Sequence, residues 1–296
     1  MVVKPKTLNM TNANGTTQTV YFKSAEDMQE IPSNSVHLIG TSSPYPMIEM
    51  WDEIFKSWNP SLDIKFRELK ATKNLDRQQI LQKEIFEGMH CCLEKVWKEC
   101  YRVLVNGGIL VINIGDAYRK VYPQTSFQKF WNSAKTVQIC ERLGFISLPS
   151  VLWKKITNRP NAYLGSGFVP TSPYISEDCE HILIFRKGSI RQFPPKDLKR
   201  QQSAFTRQQR DLYCSQVWSG IQGIKQTTDG YSERTAAFPE EIPKRIITLY
   251  SIIGDLILDP FAGTGTTLKV AKDLGRDSVG YEIVKELEPI IRKKLK

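Results

Sequence analysis

The sequence predicts an α/β fold built on a mainly parallel sheet, and three observations predict it. Apolar helical patterns alternate with short β-branched runs along most of the chain. One run, 109–114, is almost continuously apolar, as in a strand covered on both faces. Another, 255–259, passes straight into a glycine turn and a new helix, the arrangement that builds cofactor sites at strand ends.

The elements follow in order. Residues 1–18 are rich in Thr and Asn without periodicity and are expected as a flexible tail. Strands are expected at 19–22 and 35–40, with one or two helical turns within 24–31. Ile85, Met89, Leu93, Val96, Tyr101 and Leu104 keep helical spacing across 80–104, and Asn106-Gly107-Gly108 is expected to stop that helix. The 109–114 strand comes next, then a helix over 127–143 ending at Gly144 and a strand over 146–153. This rhythm fails between 154 and 230, where Pro, Gly, Gln and charged residues gather around one strand, 181–185. It returns at Pro239 with a helix to 250, the 255–259 strand, a helix over 266–274 and a strand over 278–282.

With 296 residues and 41% hydrophobic content, the chain can bury one large α/β domain carrying an insertion, or two packed lobes. A net charge of +10 and a pI near 9.2 favour a polyanionic partner. Composition by itself leaves RNA and membrane surfaces open. Residues 154–210 hold eleven Lys and Arg against four acids, so much of the excess charge is expected there. The N-terminus shows no charged-then-apolar leader and no run reaches the roughly 20 apolar residues of a membrane span, so a cytoplasmic location is expected. The six cysteines lack C-x-x-C spacing and the three histidines are scattered, which predicts reduced thiols with neither a zinc site nor a disulfide framework.

The glycine turn reads Asp259-Pro260-Phe261-Ala262-Gly263-Thr264-Gly265-Thr266-Thr267. Gly263 and Gly265 allow unusual backbone angles and close approach of a ligand to a helix start. The third glycine of a dinucleotide fingerprint and the lysine of a P-loop are both missing, so a ligand without a pyrophosphate fits better. Glu282 stands 23 residues after Asp259, close to the spacing at which an acid ending the next strand holds ribose hydroxyls. S-adenosylmethionine, with a ribose and adenine but no phosphate, matches. Asp259 is expected either to bond the turn amides or to face the ligand's amino group.

Far upstream the 35–40 strand stops at Thr41-Ser42-Ser43-Pro44-Tyr45-Pro46, and strand carboxyl ends of an open sheet share one crevice. An exocyclic amine on a base is a poor nucleophile because its lone pair is delocalised. Acceptors aimed at its N–H groups stabilise the positive charge that grows during attack on a sulfonium methyl. Ser42 Oγ and the Ser43 carbonyl are candidates for those acceptors, Pro44 fixes the turn, and Tyr45 is placed to stack on a base lifted from the duplex.

The pair of loops resembles the amino-methyltransferases of DNA, which join an F-x-G-x-G cofactor loop to a [DNS]-P-P-[YFW] catalytic loop. Phe261-Ala262-Gly263-Thr264-Gly265 fits the first, and the catalytic loop preceding a basic insert and then the cofactor loop is the order of the family's β group. Matches extend over 19–28, 107–116, 180–187 and Ala236-Ala237-Phe238-Pro239. The resemblance implies a permuted Rossmann-like methyltransferase sheet, S-adenosylmethionine as donor, and donor contacts from Thr41, Phe238, Asp259, Phe261, Gly263, Thr264, Gly265, Thr266, Thr267 and Glu282. It implies a catalytic half over 19–157, a target-recognition region over 158–230 and a cofactor half over 231–296. The partners implied are duplex DNA and a separately acting restriction endonuclease, with the protein a monomer or dimer. Thr41-Ser42 is similar to the T-S-P-P-Y form of cytosine-N4 enzymes, where adenine-N6 enzymes usually carry Asp. Ser43 departs from the usual proline: the carbonyl survives, but the loop loses one fixed φ and gains an N–H. Adenine-N6 methylation of DNA is the nearest alternative; RNA base methylation and a non-catalytic DNA-binding protein are the others.

Other features carry less. Thr171-Ser172-Pro173-Tyr174 copies the tetrad but follows Val169-Pro170, and is expected as a loop coincidence. Gly165-Ser166-Gly167 is either an edge of the DNA cleft or a turn. Trp153 is either a wall of the base pocket or core. Arg186, Lys187, Arg191, Lys196, Lys199, Arg200, Arg207 and Arg210 are candidate phosphate or guanine contacts, against a reading as solvated charge. No Pro-Cys dipeptide occurs, which disfavours attack by cysteine on a ring carbon.

Overall fold

The computed structural model describes residues 6–119, 128–155, 170, 175, 177–222 and 239–296. In chain order the first half holds strands β1 (Thr7–Thr11), β2 (Thr17–Tyr21) and β3 (Val36–Ser42), helices α1 (Asp52–Trp58), α2 (Pro60–Ala71) and α3 (Leu75–Val103), strands β4 (Leu104–Ile114), β5 (Ala117–Arg119) and β6 (Gln128–Phe130), helix α4 (Asn132–Arg142) and strand β7 (Phe145–Lys154). The second half holds β8 (Cys179–Lys187), α5 (Leu198–Gln202), α6 (Arg207–Tyr213), β9 (Val217–Trp218), α7 (Glu241–Tyr250), β10 (Leu256–Asp259), α8 (Thr266–Asp273), β11 (Asp277–Tyr281) and α9 (Glu288–Leu295).

Nine strands form one sheet in the order β1-β2-β11-β10-β3-β4-β8-β7-β9. From β2 to β4 every pairing is parallel. Beyond β4 the sheet departs from the expected parallel pattern, because β8 runs antiparallel to both β4 and β7. The chain leaves β10 through α8 toward β11 on one side and leaves β3 through α3 toward β4 on the other. The adjacent β10 and β3 therefore form the switch point at which an open sheet binds its ligand.

Alternation along the central strands fills both faces, as the apolar runs require. Leu110, Ile112, Leu183, Phe185 and Leu258 pack with the inward stripe of α3, including Ile85, Met89, Leu93, Val96 and Trp97. Ile109, Val111, Ile182, Ile184 and Ile257 face the other way, against Ile242, Ile246 and Ile247 of α7 and Val270 and Ala271 of α8. A smaller cluster seats α9 on the edge hairpin through Leu8, Val20, Ile291 and Leu295.

Four expectations are corrected. Residues 7–11 are a strand within the supposed tail: Leu8 is buried and β1 pairs with β2 across a turn whose Gly15 has φ 80°. Residues 24–31 form turns instead of helix, since α3 satisfies their backbone directly. Met28 N donates to Glu99 Oε2 (2.9 Å), and Arg102 donates to the carbonyls of Met28 (2.9 Å) and Ile31 (3.0 Å). Helix α3 stops before the Asn-Gly-Gly, with Leu104 already extended and Lys187 Nζ donating to the Tyr101 (2.6 Å) and Leu104 (2.7 Å) carbonyls. Finally, α4 begins only at Asn132, because 128–130 pair with 117–119 in a two-stranded sheet.

Candidate functional site

The cofactor-type turn is built at the end of β10. Gly263 (φ 52°) and Gly265 (φ 79°) take left-handed angles, Gly265 caps α8, and its N–H donates to the Ala262 carbonyl at 2.8 Å. Asp259 is almost fully buried and ties two strands together. Its Oδ1 accepts from Phe261 N (3.0 Å) and from Thr41 Oγ1 (2.6 Å), so the alternative in which it bonds the turn is the one observed. Burial raises its carboxyl above the usual range, offset by those donors.

Glu282 closes the turn from the end of β11. One oxygen accepts from Gly263 N and the other from Val284 N, both at 2.8 Å. Burial pushes its carboxyl up to about 7, while the two amides pull against that shift. Two amide bonds leave lone pairs on both oxygens for further donors. From α9, Lys294 Nζ donates to Thr264 Oγ1 (2.8 Å) and Thr266 Oγ1 (3.1 Å), with burial lowering the ammonium's pKa.

The second loop begins inside β3 and not beyond it. Thr41 and Ser42 still pair with Ile112 and Asn113 of β4. Ser43 is buried with its Oγ unpartnered. Tyr45 Oη meets three groups: it donates to Glu180 Oε2 (2.9 Å), accepts from Asn113 Nδ2 (2.8 Å), and lies 3.2 Å from Ser42 Oγ. Burial, then the Glu180 charge, raises the phenol's pKa well above its ordinary value, so Tyr45 keeps its proton. Asn132 supports the loop from α4, donating to the carbonyls of Pro46 (2.9 Å) and Gly115 (3.0 Å).

Both loops line one cavity of about 590 Å³, within the usual range for small-molecule sites. Ser42, Ser43, Pro44 and Tyr45 line it from one loop, and Phe261, Gly263, Thr264, Thr266, Thr267 and Glu282 from the other segment. Thr41, Asp259 and Gly265 stand behind this lining, and Phe238 lies outside the described residues. Aromatic walls from Trp51, Trp58 and Tyr281 complete the space, with the Trp58 and Phe261 rings 6.0 Å apart. An apolar slot with one buried carboxylate at its rim suits an adenine and its ribose.

Sequence reading missed several of these groups. Trp51 and Trp58 sit in a stretch without a motif, Lys294 acts from 30 residues beyond Thr264, and Asn113 and Glu180 lie in matched strand segments where neither was singled out. Trp153 is core: it is 4% exposed, packed among Ile182, Ile184 and Trp218 and away from the cavity. Of the basic candidates, Lys187 caps α3 and Arg191 holds Asp255 with two bonds (2.6 and 2.7 Å), which are structural roles. Arg207 and Arg210 lie at the exposed α6, beside Asp211. Residues 165–167 and 171–174 lie outside the described residues.

Comparison with known proteins gives concordant findings. The family described as DNA methylase, of the N6/N4 type, matches residues 36–293. The type II methyltransferase M.MjaI of Methanocaldococcus jannaschii is 51% identical over 280 residues, covering 95% of this chain and 91% of the relative. The type II methyltransferase M.MthZI of Methanothermobacter thermautotrophicus is 38% identical over 95% of this chain and 77% of its own length. Among solved structures, a putative DNA modification methylase of Thermus thermophilus, TTHA0409, complexed with S-adenosyl-L-methionine, superimposes with a TM-score of 0.70 at 26% identity, over 94% of both chains. The PvuII DNA methyltransferase (cytosine-N4-specific) shares the fold with a TM-score of 0.59 at 17% identity, over 94% of this chain and 86% of that one.

Proposed function

The chain belongs to the N6/N4 DNA methylase family, as a β-group amino-methyltransferase with S-adenosylmethionine as donor, and we propose that its target is the exocyclic N4 of cytosine in duplex DNA. The observation that carries the choice of base is Ser42: a neutral hydroxyl, in a Thr-Ser context, occupies the position where adenine-N6 enzymes usually place Asp. The type II names of the relatives support a role in restriction-modification, with an endonuclease acting separately. The partition proposed is a catalytic half to 157, target recognition over 158–230 and a cofactor half from 231.

S-adenosylmethionine supplies an electrophilic methyl on a sulfonium. Glu282 would hold the donor's ribose hydroxyls, Phe261 and Trp58 would give the adenine an aromatic wall, and the Gly263 to Gly265 turn would let backbone approach closely. A cytosine flipped from the duplex stacks on the Tyr45 ring, which its hydroxyl contacts hold in place. Ser42 Oγ and the Ser43 carbonyl accept the two N4 hydrogens, biasing the nitrogen toward tetrahedral geometry. The N4 lone pair would form the new N–C bond as the donor's S–C bond breaks, its electron pair going to sulfur. The cationic amine then gives one proton to water, so no strong base is required.

Ser42→Ala and Tyr45→Ala test this pocket. Each is expected to lower turnover by about 10²-fold or more, with donor affinity by calorimetry unchanged. Full activity in both variants would remove the pocket from consideration.

A further inference from the structure

A buried carboxylate on the neighbouring strand has no part in the chemistry above, yet it touches the catalytic loop. Glu180, near the start of β8, is 6% exposed. Its Oε2 receives the Tyr45 hydroxyl (2.9 Å) and Asn113 Nδ2 (2.7 Å), and its Oε1 pairs with the Lys155 ammonium. Three donors converge on its two oxygens, so it acts purely as an acceptor. The same demand orients the Asn113 amide, whose NH₂ must face Glu180 and Tyr45.

These partners fix every proton in the cluster. The phenol owns one hydrogen and gives it to Glu180. Its oxygen receives the Asn113 N–H and has only an acceptor left for Ser42, 3.2 Å away. Ser42 therefore donates its own hydrogen to Tyr45, and its lone pairs remain for the cavity that it lines. We propose that Glu180 is a positioning and specificity residue: through Tyr45 it holds Ser42 as an obligate acceptor, so the pocket takes a base edge bearing an amino group and rejects one bearing a carbonyl. Such a site rejects the keto analogue because two acceptors would face each other unpaired.

Gly115 makes the arrangement sterically feasible. A Cβ there would lie 3.0 Å from Tyr45 Cε2 and 3.5 Å from Glu180 Cγ, so a side chain would press on the ring beside the carboxylate. The β-ladder sets the remainder, pairing Ser42 with Asn113 and Asn113 with Ile182, beside Glu180.

The inference rests on Ser42 contacting the target amine, and the test separates the two. Glu180→Gln keeps the shape but carries an amide that can donate to Tyr45 and release the Ser42 proton. Wild type, Glu180→Gln, Tyr45→Phe and the double variant are compared on duplexes carrying the mapped target as cytosine or uracil (as adenine or hypoxanthine, if the mapped base is adenine). Binding is measured with S-adenosylhomocysteine present, and turnover on the amino-bearing duplex. Glu180→Gln is expected to lose about 10²-fold in kcat with little change in donor affinity or Tm, and to lower the amino-over-keto binding ratio at least about tenfold. In the Tyr45→Phe background the same change should add little to that ratio, because its connection to Ser42 is gone. An unchanged ratio and kcat in a folded Glu180→Gln protein overturns the inference while Ser42→Ala remains inactive. A fully active Ser42→Ala, or a wild type without amino-over-keto preference, overturns the pocket reading itself.

Discussion

In the proposed donor site, Glu282 couples folding, ligand and pH through one side chain. Its carboxyl sits at about 7 against an ordinary 4.5, chiefly from burial. A carboxyl raised in the folded state binds more protons than it does unfolded, so this group removes stability as pH rises from 4.5 to about 7. Ribose hydroxyls donate best to the ionised form, so donor binding has the opposite sign. Affinity for S-adenosylmethionine is expected to rise between about pH 6 and pH 8 and then level off, and Glu282→Gln should bind weakly with that rise flattened. Titration calorimetry across the range checks it; an identical pH profile in Glu282→Gln would remove Glu282 from the donor site. At this scale the sequence was informative where a residue type is forced by backbone geometry, as at Gly263 and Gly265. It was silent where the partner arrives from a distant strand, as Glu180 reaches Tyr45 135 residues away.

Elements were legible in proportion to their periodicity. The β-branched stretch of β4, the long apolar stripe of α3 and the turn between β10 and α8 emerge near their expected places because local pattern and tertiary burial agree. Strand β1 escaped because its threonines and asparagine mask the one buried residue, Leu8, that docks it against α9. The turns at 24–31 were misread because Glu99 and Arg102, remote in sequence, supply their hydrogen bonds. Thr41 and Ser42 were expected beyond their strand but lie in its ladder, which gives the hydroxyl proposed to meet the target amine the rigidity of a sheet. The junction after β4 has a corresponding sensitivity. Gly115→Ala is expected to lower turnover while donor affinity holds, since the new methyl presses on the Tyr45 ring and meets no atom of the cofactor loop within 4 Å. Wild-type rates in that variant would show that Tyr45 tolerates displacement.

The whole molecule joins two halves of the chain at one crevice. Strands β3 and β10 are remote in sequence and side by side in the sheet, and Thr41 bonds Asp259, 218 residues further on, across that seam. Topology therefore brings the two loops into one cavity, which is why a pair of motifs, each weak alone, points to one candidate site. The net charge of +10 suits a DNA substrate, but its distribution was not readable from counts: Lys187 and Arg191 serve the fold, and Arg245 is buried between Tyr213 and Trp218, clamping the α6 to β9 segment onto α7. Among the described residues no helix is long and apolar enough to cross a membrane. The central claim, amino methylation at N4 of cytosine, is tested most directly by its product. Purified protein is incubated with labelled S-adenosylmethionine and mixed-sequence duplex DNA, the DNA is digested to nucleosides, and the labelled nucleoside is identified by mass spectrometry. The account predicts N4-methylcytosine; N6-methyladenine would contradict the reading of Ser42 while leaving the fold and the donor site in place.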